Sequence, residues 1–122
     1  MYNIRKAIQP ILKSIHPLVF FETAPNDTDT PYLTYVIQVY PEGDRKLVVV
    51  EIDGWDIPND GSTVELERLM QTVNDELDKK TIQTDEFVLT LFGDRQILVE
   101  EDDKRIKHRN FTYQGYMYER SE

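Results

Sequence analysis

The residue types best suited to chemistry are sparse in this chain. There are two histidines, His16 and His108, and no cysteine. A histidine can act as a general base near neutral pH, but it needs a nucleophile to activate and a group to orient it. Neither histidine has a serine or cysteine beside it in a nucleophile signature, although a His/Asp/Ser set brought together only in space leaves no such mark. The five glycines are all isolated, so there is no glycine-rich phosphate loop. The nearest metal motif is Asp56-x-Pro58-x-Asp60-Gly61 with Glu67 at the twelfth position, an echo of a calcium loop. Pro58 stands where a ligand is needed, and Ser62–Glu67 reads as helix, so the loop cannot continue. The run Glu100, Glu101, Asp102, Asp103 could hold a divalent cation weakly, but four acids on a turn ordinarily face water. Paired carboxylates for glycoside hydrolysis cannot be read from spacing in so acidic a chain, so a small hydrolase with an acidic site is kept as an alternative. The expectation is no catalytic residue, no metal site and no cofactor.

Charge narrows the partners. Lys+Arg number 14 against 23 Asp+Glu, a formal net charge of −9. Binding to a phosphate backbone needs concentrated positive charge. Here the basic residues are scattered, and the densest group, Lys104 to Arg109, directly follows the acidic run. That group reads as a solvated turn of mixed sign. An acidic surface permits a different relation to DNA, repelling a duplex that must pass without sticking.

The 122 residues suffice for one domain with one core. The longest apolar runs, such as Leu47–Val50, are far short of a membrane span. The N-terminus lacks the unbroken apolar region of a signal peptide, and the absence of cysteine is compatible with a cytoplasmic life.

The elements that must position any site are clearer than the site. Ile4, Ala7, Ile8, Ile11, Leu12 and Ile15 recur at helical spacing, predicting an amphipathic helix over 2–16 that Pro10 should kink or split. Leu18–Phe21 suggests a short strand, followed by an exposed loop over 22–31. Tyr32–Tyr40 alternates, with Leu33, Tyr35, Ile37 and Val39 on one face. The connector 41–45 has hairpin length, so Lys46–Asp56 should pair antiparallel with it, Val48, Val50 and Ile52 pointing inward. Trp55, beside Asp53 and Asp56, either closes the edge of the core or anchors an interface. Ser62 with Glu65 forms a capping box ahead of a helix whose stripe is Leu66, Leu69, Met70, Val73 and Leu77, with Lys79 and Lys80 at its C-terminal end. Phe87–Phe92 reads as a central strand, Gly93-Asp94 as a turn into Gln96–Glu100, and His108–Arg120 as a long aromatic closing strand. The layout is α+β in the order α-β-β-β-α-β-β-β, helices against an antiparallel or mixed sheet.

The succession of N-terminal amphipathic helix, acidic loop ending in PYLTYVIQVY, then VVVEIDGWDI, a second amphipathic helix and HRNFTYQGYMYER resembles the tail terminator proteins of tailed phages and prophages. These are also called tail completion or head–tail joining proteins. The resemblance spans nearly the whole chain. It implies a non-enzymatic α+β subunit that forms a ring, usually of six, capping the tail tube and docking to the head connector. Double-stranded DNA passes through such a ring without specific binding, and no membrane is involved. The protein would be made in the bacterial cytoplasm and end at the head–tail junction of the virion. Another small morphogenesis adaptor, of the head-completion type, is the neighbouring alternative. Exposure and chemistry nominate Tyr32, Tyr40, Glu42, Asp44, Arg45, Asp53, Trp55, Asp56, Glu100, Glu101, Asp102 and Asp103 as contact residues.

Overall fold

A computed structural model describes residues 1–120. Eight elements follow the expected order: α1 (Tyr2–Ile15), β1 (Val19–Phe21), β2 (Tyr32–Glu42), β3 (Arg45–Asp56), α2 (Val64–Leu77), β4 (Lys80–Gln83), β5 (Phe87–Glu100) and β6 (Lys107–Glu119). The six strands form one sheet in the order β1-β2-β3-β6-β5-β4, with β1 parallel to β2 and the other pairs antiparallel.

Both helices lie on one side of this sheet. Tyr35 reaches Gln9 of α1, and Tyr113, on the same sheet face, donates to Asn74 of α2 at 2.9 Å. The inward rows predicted from alternation are buried there: Leu33, Tyr35 and Ile37, then Val48, Val50 and Ile52, then Phe111, Tyr113 and Met117. Ile4, Ile8 and Leu12 of α1 and Leu66, Met70, Val73 and Leu77 of α2 close the core, each contributing on the order of 1.5–3 kcal/mol on full burial. At Gly54 α2 sits so close that a Cβ would lie 2.5 Å from the Met70 sulfur.

Five local expectations need correction. Pro10 does not split α1, which runs as one helix from Tyr2 to Ile15; Pro10 is on the exposed face, where it disturbs no core packing. The capping box does not form: Thr63 is the N-cap, Ser62 Oγ accepts from the Val64 N–H, and the Ser62 N–H is taken by Asp60. Lys79 and Lys80 do not end the helix, since Lys79 takes a positive φ of 64° and Lys80 opens β4, a strand not foreseen. Gly93-Asp94 is no turn. The chain continues as one long strand through a β-bulge between Gly93 and Arg95, which leaves Asp94 unpaired. The hairpin connector is also tighter than 41–45, with only Gly43 and Asp44 between β2 and β3, Gly43 at φ 65°.

Candidate assembly interface

The sheet face opposite the helices has no covering layer among the described residues. Its rows are set by register. Tyr32, Trp55, His108 and Val99 lie side by side at one end of the sheet, and Thr34, Asp53, Asn110 and Ile97 form the row above. Trp55 stacks on His108 with ring centroids 3.7 Å apart, Tyr32 stacks on Trp55 at 6.3 Å, and the Trp55 indole N–H donates to Thr34 Oγ1 at 3.1 Å.

His108 is the centre of this end. Its Nε2 lies 2.6 Å from Asp53 Oδ1 and its Nδ1 2.9 Å from Glu101 Oε1. Burial disfavours the charged ring, but hydrogen bonds and attraction from the two carboxylates outweigh it and raise the His108 pKa above its ordinary value. In its protonated form the ring donates through both nitrogens and has no lone pair left to act as a base. The nearby hydroxyls are engaged as well: Thr34 takes the Trp55 N–H, and Thr112 donates to Asn110, whose amide donates to Asp53 at 2.9 Å. The arrangement is a clamp joining β3, β6 and the 101–106 turn.

The other end of the same face is aromatic and exposed. Tyr40, Tyr116, Tyr118 and Phe92 all present large exposed rings, and the Arg45 guanidinium stacks over Tyr116 at 3.6 Å while donating to the Tyr118 hydroxyl at 3.4 Å. Four aromatics in the closing strand thus divide by parity, Phe111 and Tyr113 into the core and Tyr116 and Tyr118 to the bare face.

Two strand edges are unpaired among the described residues. β1 pairs only with Leu33–Tyr35, leaving β2 open beyond it, and β4 pairs only with Val88–Leu91, leaving β5 open from the bulge onward. Leu33 donates to Leu18 and Tyr35 accepts from Glu22, so odd-numbered β2 residues turn their backbone groups outward. The next such positions are Ile37 and Val39, and Pro41 beyond them has no N–H. On the β5 side the Arg120 N–H donates to Glu86 and the Thr84 N–H to Phe87, so before the bulge even-numbered residues bond toward β6; the bulge shifts the parity, so Gln96 and Leu98 face outward while Arg95, Ile97 and Val99 bond toward β6. Ile97 and Leu98 are 40% and 62% exposed, an apolar stretch on a free edge.

The nominated residues fall into two groups at opposite ends of the sheet, roughly 35 Å apart along β3 at 3.3 Å per residue. Tyr32, Asp53, Trp55, Glu100, Glu101, Asp102 and Asp103 gather around the His108 clamp, with Asp103 held at a pKa of about 2 by the side chain and then the backbone N–H of Arg105. Tyr40, Glu42, Asp44 and Arg45 sit at the hairpin end. Asp56 belongs to neither surface: it is 3% exposed, its Oδ1 accepts from the Ile57 N–H and its Oδ2 has no partner, at the wall of an open cleft of about 1090 Å³ beside α2. The residues that sequence reasoning missed are His108 as the clamp, and Phe92, Ile97 and Leu98. The run Ile97-Leu98-Val99, apolar at every position, was the available signal. No group of three or more His, Asp or Glu side chains among the described residues converges as a metal site.

No family model matches the chain, and no curated protein matches it. Solved structures do. A chain from the virion of a native gene transfer agent particle aligns over 96% of this chain and 95% of its own length, with a TM-score of 0.74 and 11% identity. A second solved chain aligns over 98% and 93%, with a TM-score of 0.69 and 10% identity. At such identity the likeness establishes a shared fold: two helices on one face of a six-stranded mixed sheet.

Proposed function

We propose that this chain is a structural subunit of a tailed phage or phage-like particle, which assembles as a ring that caps the tail tube and meets the head connector. The observation that carries the reading is the end-to-end likeness to a chain of a gene transfer agent virion, with neither partner of the comparison having a large unmatched part. The bare aromatic sheet face and the two unpaired edges agree with it, because a subunit that worked alone would leave them without purpose. The clamped His108, with both nitrogens committed to carboxylates, speaks against a hydrolase. The net charge of −9 suits a passage through which a duplex slides without adhering. The protein acts first in the bacterial cytoplasm during assembly and then at the head–tail junction.

Negative-stain imaging of the purified protein, with and without tail tubes, tests this. Rings seated on tube ends are expected. Failure to bind tube ends, with no rings even at high concentration, would sink the reading. Binding to isolated head connectors but never to tubes would instead make it a head-completion adaptor.

A further inference from the structure

We propose that copies of this chain join head to tail by strand addition, the open stretch of β5 around Gln96–Leu98 in one copy pairing antiparallel with the open stretch of β2 around Ile37–Val39 in the next. The inference rests on the ring reading above and supplies its contact.

The two edges match in four respects. They lie on opposite sides of one sheet, so a single operation brings the β5 edge of one copy against the β2 edge of another. In that operation the strands run antiparallel, because β2 and β6 run one way while β3 and β5 run the other. Helices then stay on one side of the joined sheet and the aromatic face on the other. The offered backbone groups also correspond: Ile37 and Val39 on β2, Gln96 and Leu98 on β5, each pair spaced by two residues as a ladder requires.

Side chains follow the same pattern. Leu98 lies on the helix side of the sheet and would come opposite Ile37 and diagonal to Val39, whereas Ile97 on the bare face would come opposite Gln38 and diagonal to Tyr40. The offset fits as well. β1 fills the half of its edge nearest Tyr32, and β4 fills the half of the opposite edge nearest the hairpin, so the open stretches are diagonal to one another. Pairing them therefore staggers successive copies along the strands, and closure of a staggered sheet requires tilted strands, as in any barrel.

Head-to-tail pairing is favoured over a twofold dimer because of what each leaves behind. Two β5 edges joined about a twofold axis leave both β2 edges bare, whereas a head-to-tail contact that closes into a ring satisfies both edges of every copy. Pro41 marks where the β2 edge stops, since it has no N–H to donate and a longer ladder would meet an unpaired carbonyl.

The natural absence of cysteine makes a direct test possible. Val39→Cys and Leu98→Cys are made separately and together, and each protein is treated at millimolar concentration, and again with tail tubes, using a short bis-maleimide cross-linker. A ladder of trimers and larger species from the double variant, with at most traces from either single variant, is the expected result. Strong dimers from one single variant would reveal twofold pairing and overturn the inference. Rings in the microscope without the ladder would overturn it too, while leaving the ring reading intact; neither rings nor ladder under any condition removes both. As a second measure, Val39→Pro and Leu98→Pro each remove an outward N–H that has no partner among the described residues. Circular dichroism should report folded protein, and sedimentation should report self-association weaker by about tenfold. Unchanged association of both folded proline variants would count against the edge contact.

Discussion

His108 stores part of the fold's stability in its charge. Its pKa is raised in the folded chain because, against the cost of burial, Asp53 and Glu101 both favour the imidazolium. A raised value means that the contribution is fully present below the unfolded pKa, near 6.5, and is lost as pH rises through the folded one. Each unit of that interval is worth about 1.4 kcal/mol. The unfolding midpoint in urea should therefore fall between pH 6 and pH 8, and His108→Gln should flatten the dependence; a wild-type midpoint that holds or climbs over this range would contradict the clamp. Trp55 is the second test at this scale. Trp55→Ala removes both stacks and the bond to Thr34, and should cost about 2–3 kcal/mol, below a full core truncation because the ring is only half-buried. Trp55→Phe should cost about 1 kcal/mol, the worth of the hydrogen bond. Equal losses would mean that stacking contributes nothing.

The strands and helices present sharper contrasts. Pro10 of α1 faces water, so its penalty is the absent helix hydrogen bond and the ring against the preceding turn, with no packing lost from the core. Pro10→Ala should raise stability by about 1–3 kcal/mol in chemical denaturation. Gly115 behaves oppositely: a Cβ there would stand 1.8 Å from the Thr90 carbonyl oxygen, backbone that cannot swing aside. Gly115→Ala should cost about 3 kcal/mol or more and loosen β5 from β6, visible as faster amide exchange in both strands. What could be read beforehand follows this division. Alternation in β2, β3 and β6 and the α2 stripe were legible, because period 2 and period 3.6 are written in neighbouring residues. β4 was not, since KTIQ buries only Ile82 and shows no alternation to find. The glycine in Gly93-Asp94 signals a turn or a bulge equally well in one dimension, and only the partner strand decides. The clamp was least legible of all. His108 and Asp53 are 55 residues apart and meet only through the β3–β6 register.

For the molecule as a whole, charge and shape pull against each other. Every copy carries a formal charge of −9, which repels its neighbours, while bare aromatic and aliphatic side chains at the edges favour contact. At low ionic strength repulsion acts over a Debye length of about 30 Å, and at 1 M salt over about 3 Å. Sedimentation should accordingly show more self-association as sodium chloride is raised. Dissociation with added salt would mean that ion pairs between copies dominate.

The bulge at Asp94 has a consequence that can be put in terms of phase. Up to Phe92, even-numbered side chains of β5 face the bare side; beyond the bulge, odd-numbered ones do. One residue thus acts as a half-period shift in an alternating signal. It inverts the meaning of every later position without changing a letter of the sequence there. Deleting Asp94 would close the bulge and leave the later side chains where they are, whereas a strand paired straight through, with Asp94 opposite Thr112, would send Ile97 and Val99 toward the helices and turn Gln96 and Leu98 to the bare side. Paired in that way, the distal half of the strand would keep its composition and lose its message.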